Sequence, residues 1–336
     1  MKNKYYAILS EEFPSFLNEY IQCDCLQRLA GISLFCGVDF CGLFKVKEYY
    51  SRLDHSIGVA LIIWHFTKDK KATLAGLLHD VSTPVFSHVI DFMYKDYLKQ
   101  EKTEEKNSAM ILADKKLCAL LRRDKIALED VMDYKMYPIA DNEVPCLSAD
   151  RLEYMYSTGL CLTQDFTLEE IEKTYKDLYI SYNEEEIDEL AFKDESIAEL
   201  FVGNCCKVGQ FFQTNEDKMA LEYLSRIVKC AIDENVFDEK DVYMYKEKEI
   251  WQRMFEKGST SLKEKMHHFK DLKKVLRSEV FKQSECTISI DVKKRYIDAL
   301  IKTERSSQAS KKAKEAINAF LRYKESKYAY IDESCY

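Results

Sequence analysis

The sequence predicts an all-α protein. Three observations carry that expectation: apolar residues recur at helical spacing through most of the 336 residues, prolines number four and glycines nine, and a single short run, CTISIDV, is the best strand candidate. The composition, 46% hydrophobic and 32% charged, is that of an ordered chain with a sizeable core, and the length allows one large domain or two ordinary ones.

Taken in order, the YAILSEEFPSFLNEY opening is interrupted at Pro14 and runs into a helix through CLQRLAGISLF, with Leu26 and Leu29 on its buried side. Arg28 on that helix either snorkels to solvent or braces acidic groups beside it. GVDFCGLFKVKEYYSR at 37–52 reads as a turn or short hairpin. From His55 the residues Val59, Ile62, Ile63 and Phe66 keep helical spacing, and a second helix covers 72–80. The charged run at 95–108 reads as a loop or lid, and helices are expected over 109–121 and 126–132. A helix carries Asp150, with Gly159 as its stop. Segments 168–180, 184–192, 196–213 and 216–235 all read as helical, and 242–257 as packing against the main body. A last helix over about 307–325 is followed by a tail, YKESKYAYIDESCY, that reads as frayed.

Formal charge is −8, which argues against a broad nucleic-acid face but not against a locally positive cleft. Twelve cysteines lack the paired CxxC spacing of a structural zinc site. The start, MKNKYYAILSEEF, lacks the apolar core and cleavage site of a signal peptide, so reduced thiols and a cytoplasmic location are expected. GVALIIW at 58–64, the longest strongly apolar run, is too short to cross a bilayer, and no membrane association is expected.

The chemistry concentrates at residues 52–88, where His55 and the doublet His79–Asp80 punctuate apolar helices. Two imidazoles and a carboxylate suit a metal, and Asp150 in CLSADRLEYMY is the candidate fourth ligand. Read singly, each histidine is equally well a hydrogen-bonded core residue. Asp80, at the end of a helix, gains nothing from the macrodipole, and a cation there would compensate.

These residues carry a resemblance. Gln27-Arg28-Leu29, then Arg52, His55, Ser56, Gly58 and Val59 in an R-x-x-H-S-x-G-V pattern, AGLLHD at 75–80, PVFSH at 84–88 and Asp150 in SADRLEY resemble the HD-domain metal-dependent phosphohydrolases, in particular their dNTP triphosphohydrolase branch. The likeness covers about 25–160. It implies a helical HD-domain catalytic core over 1–165 and a helical C-terminal region over 166–336 that packs on the core and either covers the cleft or dimerises. It also implies a divalent metal (Mn, Fe, Co, Ni, Mg or Zn) on His55, His79, Asp80 and Asp150, with Arg52 and Arg151 facing the phosphates and Tyr154 lining the nucleotide side. Asp80, Arg52, His88 and Glu104 are the candidate catalytic groups, and Lys106 a further candidate for neutralising phosphate charge. Departures from the pattern are informative. Thr83 stands where the branch has a second histidine, Glu104 where it has a proton-donating histidine, and Thr158 or a neighbour where it has an aspartate. A nucleotide or other small phosphate ester is the expected substrate. The alternative is a nucleotide-binding sensor or assembly protein with weakened turnover.

Overall fold

A computed structural model describes residues 1–95 and 107–336. Glu104, Lys106 and most of the charged run at 95–108 lie outside the described residues. The fold is predominantly helical, with sixteen α-helices among the described residues and two small sheets beside them.

The centre is the helix Arg52–Thr67, which a reciprocal cap starts: the Asp54 amide donates to Ser51 Oγ at 3.1 Å, and the Asp54 carboxylate accepts from the Ser51 amide at 2.8 Å. Its residues from Leu53 to Ile63 are nearly all buried, so it has no solvent face there and must be packed from every side. Lys70–Leu78 packs antiparallel beyond a short turn, Lys2–Leu9 covers another flank, and Ala149–Cys161 crosses a third. Gly58 permits that last crossing. A Cβ there would sit 2.7 Å from the Glu153 Cγ and Oε1 atoms. Further along the chain, Asn215–Asp233 packs over Val89–Met93, bringing the C-terminal region onto the same core.

Several elements differ from the sequence expectation for local reasons. Residues 184–192 are not helical: the Asn183 carboxamide accepts the amides of Glu185 and Ile187, Glu186 takes a left-handed φ of 60°, and the turn joins strands Leu178–Tyr182 and Asp188–Phe192. Those two strands pair antiparallel, Ile180 opposite Leu190, and Leu300–Ile301 joins them in parallel with Glu304–Arg305 at the far edge. The tail does not fray. Tyr328–Ile331 is the middle strand of the second sheet, between Leu276–Ser278 and Cys286–Ile288, with Ala329 and Ile331 turned inward. The expected 109–121 helix is two, Asn107–Ala113 and Lys115–Arg123, because Asp114 caps the second by accepting the Leu117 amide at 2.9 Å. Gly159 does not stop the Asp150 helix, which runs to Cys161. Phe166 packs onto Gly159 instead, 2.4 Å from where a Cβ would be. Residues 37–52 form no hairpin; only an isolated bridge, Ser33 to Ser51, pairs there.

Candidate metal centre

The helix Arg52–Thr67 delivers His55 one turn after its start, where the ring is buried. Lys70–Leu78 ends immediately before His79 and Asp80, and Ala149–Cys161 brings Asp150 in from its first turn. Ligand atoms of His55, His79 and Asp80 lie within 4.8 Å of one another. Asp150 Oδ1 stands 3.0 Å from His55 Nε2 and 3.7 Å from His79 Nε2. Asp80 Oδ2 stands 3.7 Å from His79 Nε2 and 4.0 Å from His55 Nε2.

The other ring nitrogens decide what those four atoms can do. His79 Nδ1 meets the Gly76 carbonyl at 2.7 Å, and a carbonyl only accepts, so Nδ1 carries the proton. His55 Nδ1 meets the Glu153 carboxylate in the same sense. In its neutral form each ring turns an Nε2 lone pair toward two carboxylates, an arrangement that repels unless a cation or a proton sits between them. Metal–ligand bonds of about 2.1 Å place ligand atoms about 3.0–4.2 Å apart, and the four imidazole–carboxylate separations, 3.0–4.0 Å, fall in that range. The donor set fits a divalent cation. When a proton takes that place, burial would lower the His55 pKa, but the Glu153 carboxylate with Asp150 overrides it and pushes the ring up to about 10.

Glu153 is itself fully buried, and it accepts Tyr50 OH at 2.6 Å, Tyr5 OH at 3.2 Å and Ser157 Oγ at 3.2 Å. Burial would raise the Asp80 pKa, but the Arg52 guanidinium, 3.0 Å away, and the two imidazoles hold it well below the usual carboxylate range. Thr83 Oγ1 donates to the other Asp80 oxygen at 2.9 Å, so it orients the carboxylate of a candidate ligand. Arg28 is buried and does not snorkel, but it braces backbone rather than an acidic side chain: its Nη2 donates to the Val81 carbonyl at 3.1 Å and the Thr83 carbonyl at 2.5 Å. Arg52 Nε also donates to Ser87 Oγ at 3.2 Å.

These groups open into a cavity of about 230 Å³. Arg52, His88, Tyr154 and Thr158 line it together with the four candidate ligands. His88 Nδ1 donates to Asp91 Oδ2 at 2.9 Å, and burial lowers the His88 pKa. Arg151 is not among the lining residues. Its Nε donates to the Cys146 carbonyl at 2.8 Å, its Nη2 reaches Asn142, and its Nη1 pairs with Asp141 at 3.2 Å, so it ties down the loop before the helix. Sequence reasoning missed Tyr134, whose hydroxyl donates to Asp150 Oδ2 at 3.1 Å and whose ring lies 4.8 Å from that of His79. It also missed Asp217, Lys293 and Arg295, which reach the cavity from the C-terminal region. No spacing rule links such distant single residues to the motifs.

Residues 52–153 match the HD domain family. The chain is 30% identical over 233 residues to the uncharacterized protein YdhJ of Bacillus subtilis (strain 168), covering 67% of each. It is also 30% identical over 149 residues to the metal-dependent phosphohydrolase cns2 of Cordyceps militaris, 44% of this chain and 42% of that one. Among solved structures, a hypothetical protein from Aquifex aeolicus aligns with a TM-score of 0.55 at 16% identity over 96% of this chain and 94% of that one. A phosphohydrolase from Bacteroides thetaiotaomicron aligns with a TM-score of 0.60 at 15% identity over 94% and 95%. At those identities the structural likeness speaks for the fold. No helix among the described residues is long and apolar enough to cross a membrane.

Proposed function

This chain belongs to the HD domain family of metal-dependent phosphohydrolases, and from that premise we propose that it hydrolyses a phosphate ester or anhydride of a nucleotide or similarly small molecule. The observation that carries this reading is the fixed proton on both Nδ1 atoms. It turns the two Nε2 atoms toward the Asp80 and Asp150 carboxylates in a cavity that Arg52, Lys293 and Arg295 also line.

His55, His79, Asp80 and Asp150 would hold the metal, which supplies Lewis acidity toward a phosphoryl oxygen and an activated water. The chain's own groups do the rest. Arg52 stays charged against Asp80 and stabilises charge developing on the phosphoryl group. His88, uncharged through burial and oriented by Asp91, holds or accepts a proton at Nε2. Tyr154 flanks the organic part of the substrate, and residues 166–336 act as the region that closes the cavity over the 1–165 core.

The test is hydrolysis of a panel of dNTPs, NTPs, mononucleotides and cyclic nucleotides with Mn, Mg or Ni, read as phosphate, triphosphate or mononucleotide formed, comparing wild type with Asp80→Ala and His55→Ala. The reading expects metal-dependent hydrolysis by wild type alone. The sensor alternative draws on Thr83, which is committed to Asp80 and offers no second imidazole. It expects nucleotide binding without turnover across the panel.

A further inference from the structure

Asp217 is the third carboxyl lining the cavity and does not belong with the two candidate ligands. It stands on the helix Asn215–Asp233, where it is 6% exposed. A carboxylate at this position in a helix ordinarily folds back onto the amide of the N-cap residue. Here the Thr214 amide donates instead to the Phe211 carbonyl at 3.0 Å, and the Thr214 hydroxyl accepts the Asp217 amide at 3.3 Å. Among the described residues, the Asp217 carboxyl makes no hydrogen bond and has only the longer-range charges of Lys218 and Arg295 near it. Its neighbours along the wall include Phe211, Phe212 and Leu221. A largely buried carboxyl that opens onto a cavity takes its hydrogen-bond partner from what fills that cavity, water or ligand.

An acid at this wall offers phosphate no cation, whereas the candidate metal ligands and Arg52 suit it. The part of a substrate that satisfies Asp217 is uncharged, carries an O–H or N–H donor, and has a flat or apolar body for the phenylalanines. We propose that Asp217 determines specificity by receiving a hydroxyl or amino donor on the nucleoside part of the substrate. This rests on the phosphohydrolase reading above. Burial pushes the carboxyl up to about 8 despite Lys218 and Arg295, so it meets the ligand as an acid that both donates and accepts.

The experiment measures discrimination rather than activity alone. Wild type, Asp217→Asn and Asp217→Leu are compared on AMP against IMP, which exchanges an amino donor for an oxo acceptor, and on AMP against dAMP, which removes a hydroxyl. Turnover is followed by phosphate release and affinity by titration calorimetry, and each variant's thermal unfolding confirms that it is folded. The proposal expects wild type to prefer one member of at least one pair by tenfold or more. Asp217→Leu should collapse that ratio to within about twofold, and the pair affected tells an amino donor from a hydroxyl. An unchanged ratio in the variants overturns the assignment while leaving the phosphohydrolase reading intact. Nucleotide binding that discriminates through Asp217 without hydrolysis by wild type would overturn the enzymatic reading and keep the assignment. Absence of both binding and hydrolysis overturns both.

Discussion

Glu153→Gln isolates what fixes the His55 tautomer. Four donors converge on the two carboxylate oxygens: His55 Nδ1, Tyr50 OH, Tyr5 OH and Ser157 Oγ. An amide of the same shape keeps one acceptor and turns an NH₂ group toward donors it cannot satisfy. The local remedy is for His55 to accept at Nδ1, which moves its proton to Nε2, the atom that faces Asp150 at 3.0 Å and is needed for the metal. Losing such a partner behind a histidine ligand typically costs ~10- to 100-fold in metal affinity, on the order of 1.4–2.7 kcal/mol. Glu153→Ala is harsher, since it strands buried hydroxyls beside a cavity, and should lose on the order of 3–5 kcal/mol of stability. Calorimetric titration of Mn or Ni into folded Glu153→Gln protein, with thermal unfolding alongside, measures both effects. Wild-type affinity in that variant would refute the argument that Glu153 sets the tautomer.

Further outcomes follow from neighbouring contacts. Gly58→Ala drives a Cβ to 2.7 Å from Glu153 Cγ and Oε1, so it should cost about 1–3 kcal/mol in a denaturant titration and weaken metal binding in parallel. Arg151→Met should lower the melting temperature while leaving KM for the best substrate within about twofold of wild type; a tenfold rise in KM would support the phosphate-facing role. Asp217 is protonated in the folded chain up to about pH 8, whereas its ordinary value is 3.8. Its contribution is therefore complete below the unfolded pKa and is lost as pH rises to about 8, a loss on the order of 5 kcal/mol if the shift is fully expressed. Asp217→Asn should remove that loss, so its melting temperature exceeds wild type at pH 8.5 and the difference shrinks toward pH 4.

The parts of this molecule legible in the sequence are those whose signals are local. The helical spacing of Val59, Ile62, Ile63 and Phe66 marks the central helix from His55, one turn after its start at Arg52. His55, His79, Asp80 and Asp150 occupy motif positions whose spacing survives in the chain. What stayed hidden depends on tertiary partners. Glu184, Glu185 and Glu186 look helical by propensity, yet the segment turns because Asn183 captures its amides and Arg305 pairs with Glu184 and Glu189 from across the sheet. In the tail, alternation spans only the four residues Tyr328–Ile331, too few to stand out among polar flanks. Gly159 carries the signal of a helix stop but serves a close approach by Phe166, which sequence spacing does not announce. Tyr134 and Asp217 reach the cavity as single residues from separate elements, so nothing in their flanks marks them.

The most direct measurement pairs metal content with turnover in one preparation. Wild type and His79→Ala are purified identically, metals are counted by elemental mass spectrometry, and product formation is followed on the best substrate of the nucleotide panel before and after chelation. The account predicts about one divalent metal per wild-type chain, activity lost on chelation and recovered on adding metal back, and neither metal nor recoverable activity in His79→Ala. Full product formation by chelated wild type, or by metal-free His79→Ala, would contradict it.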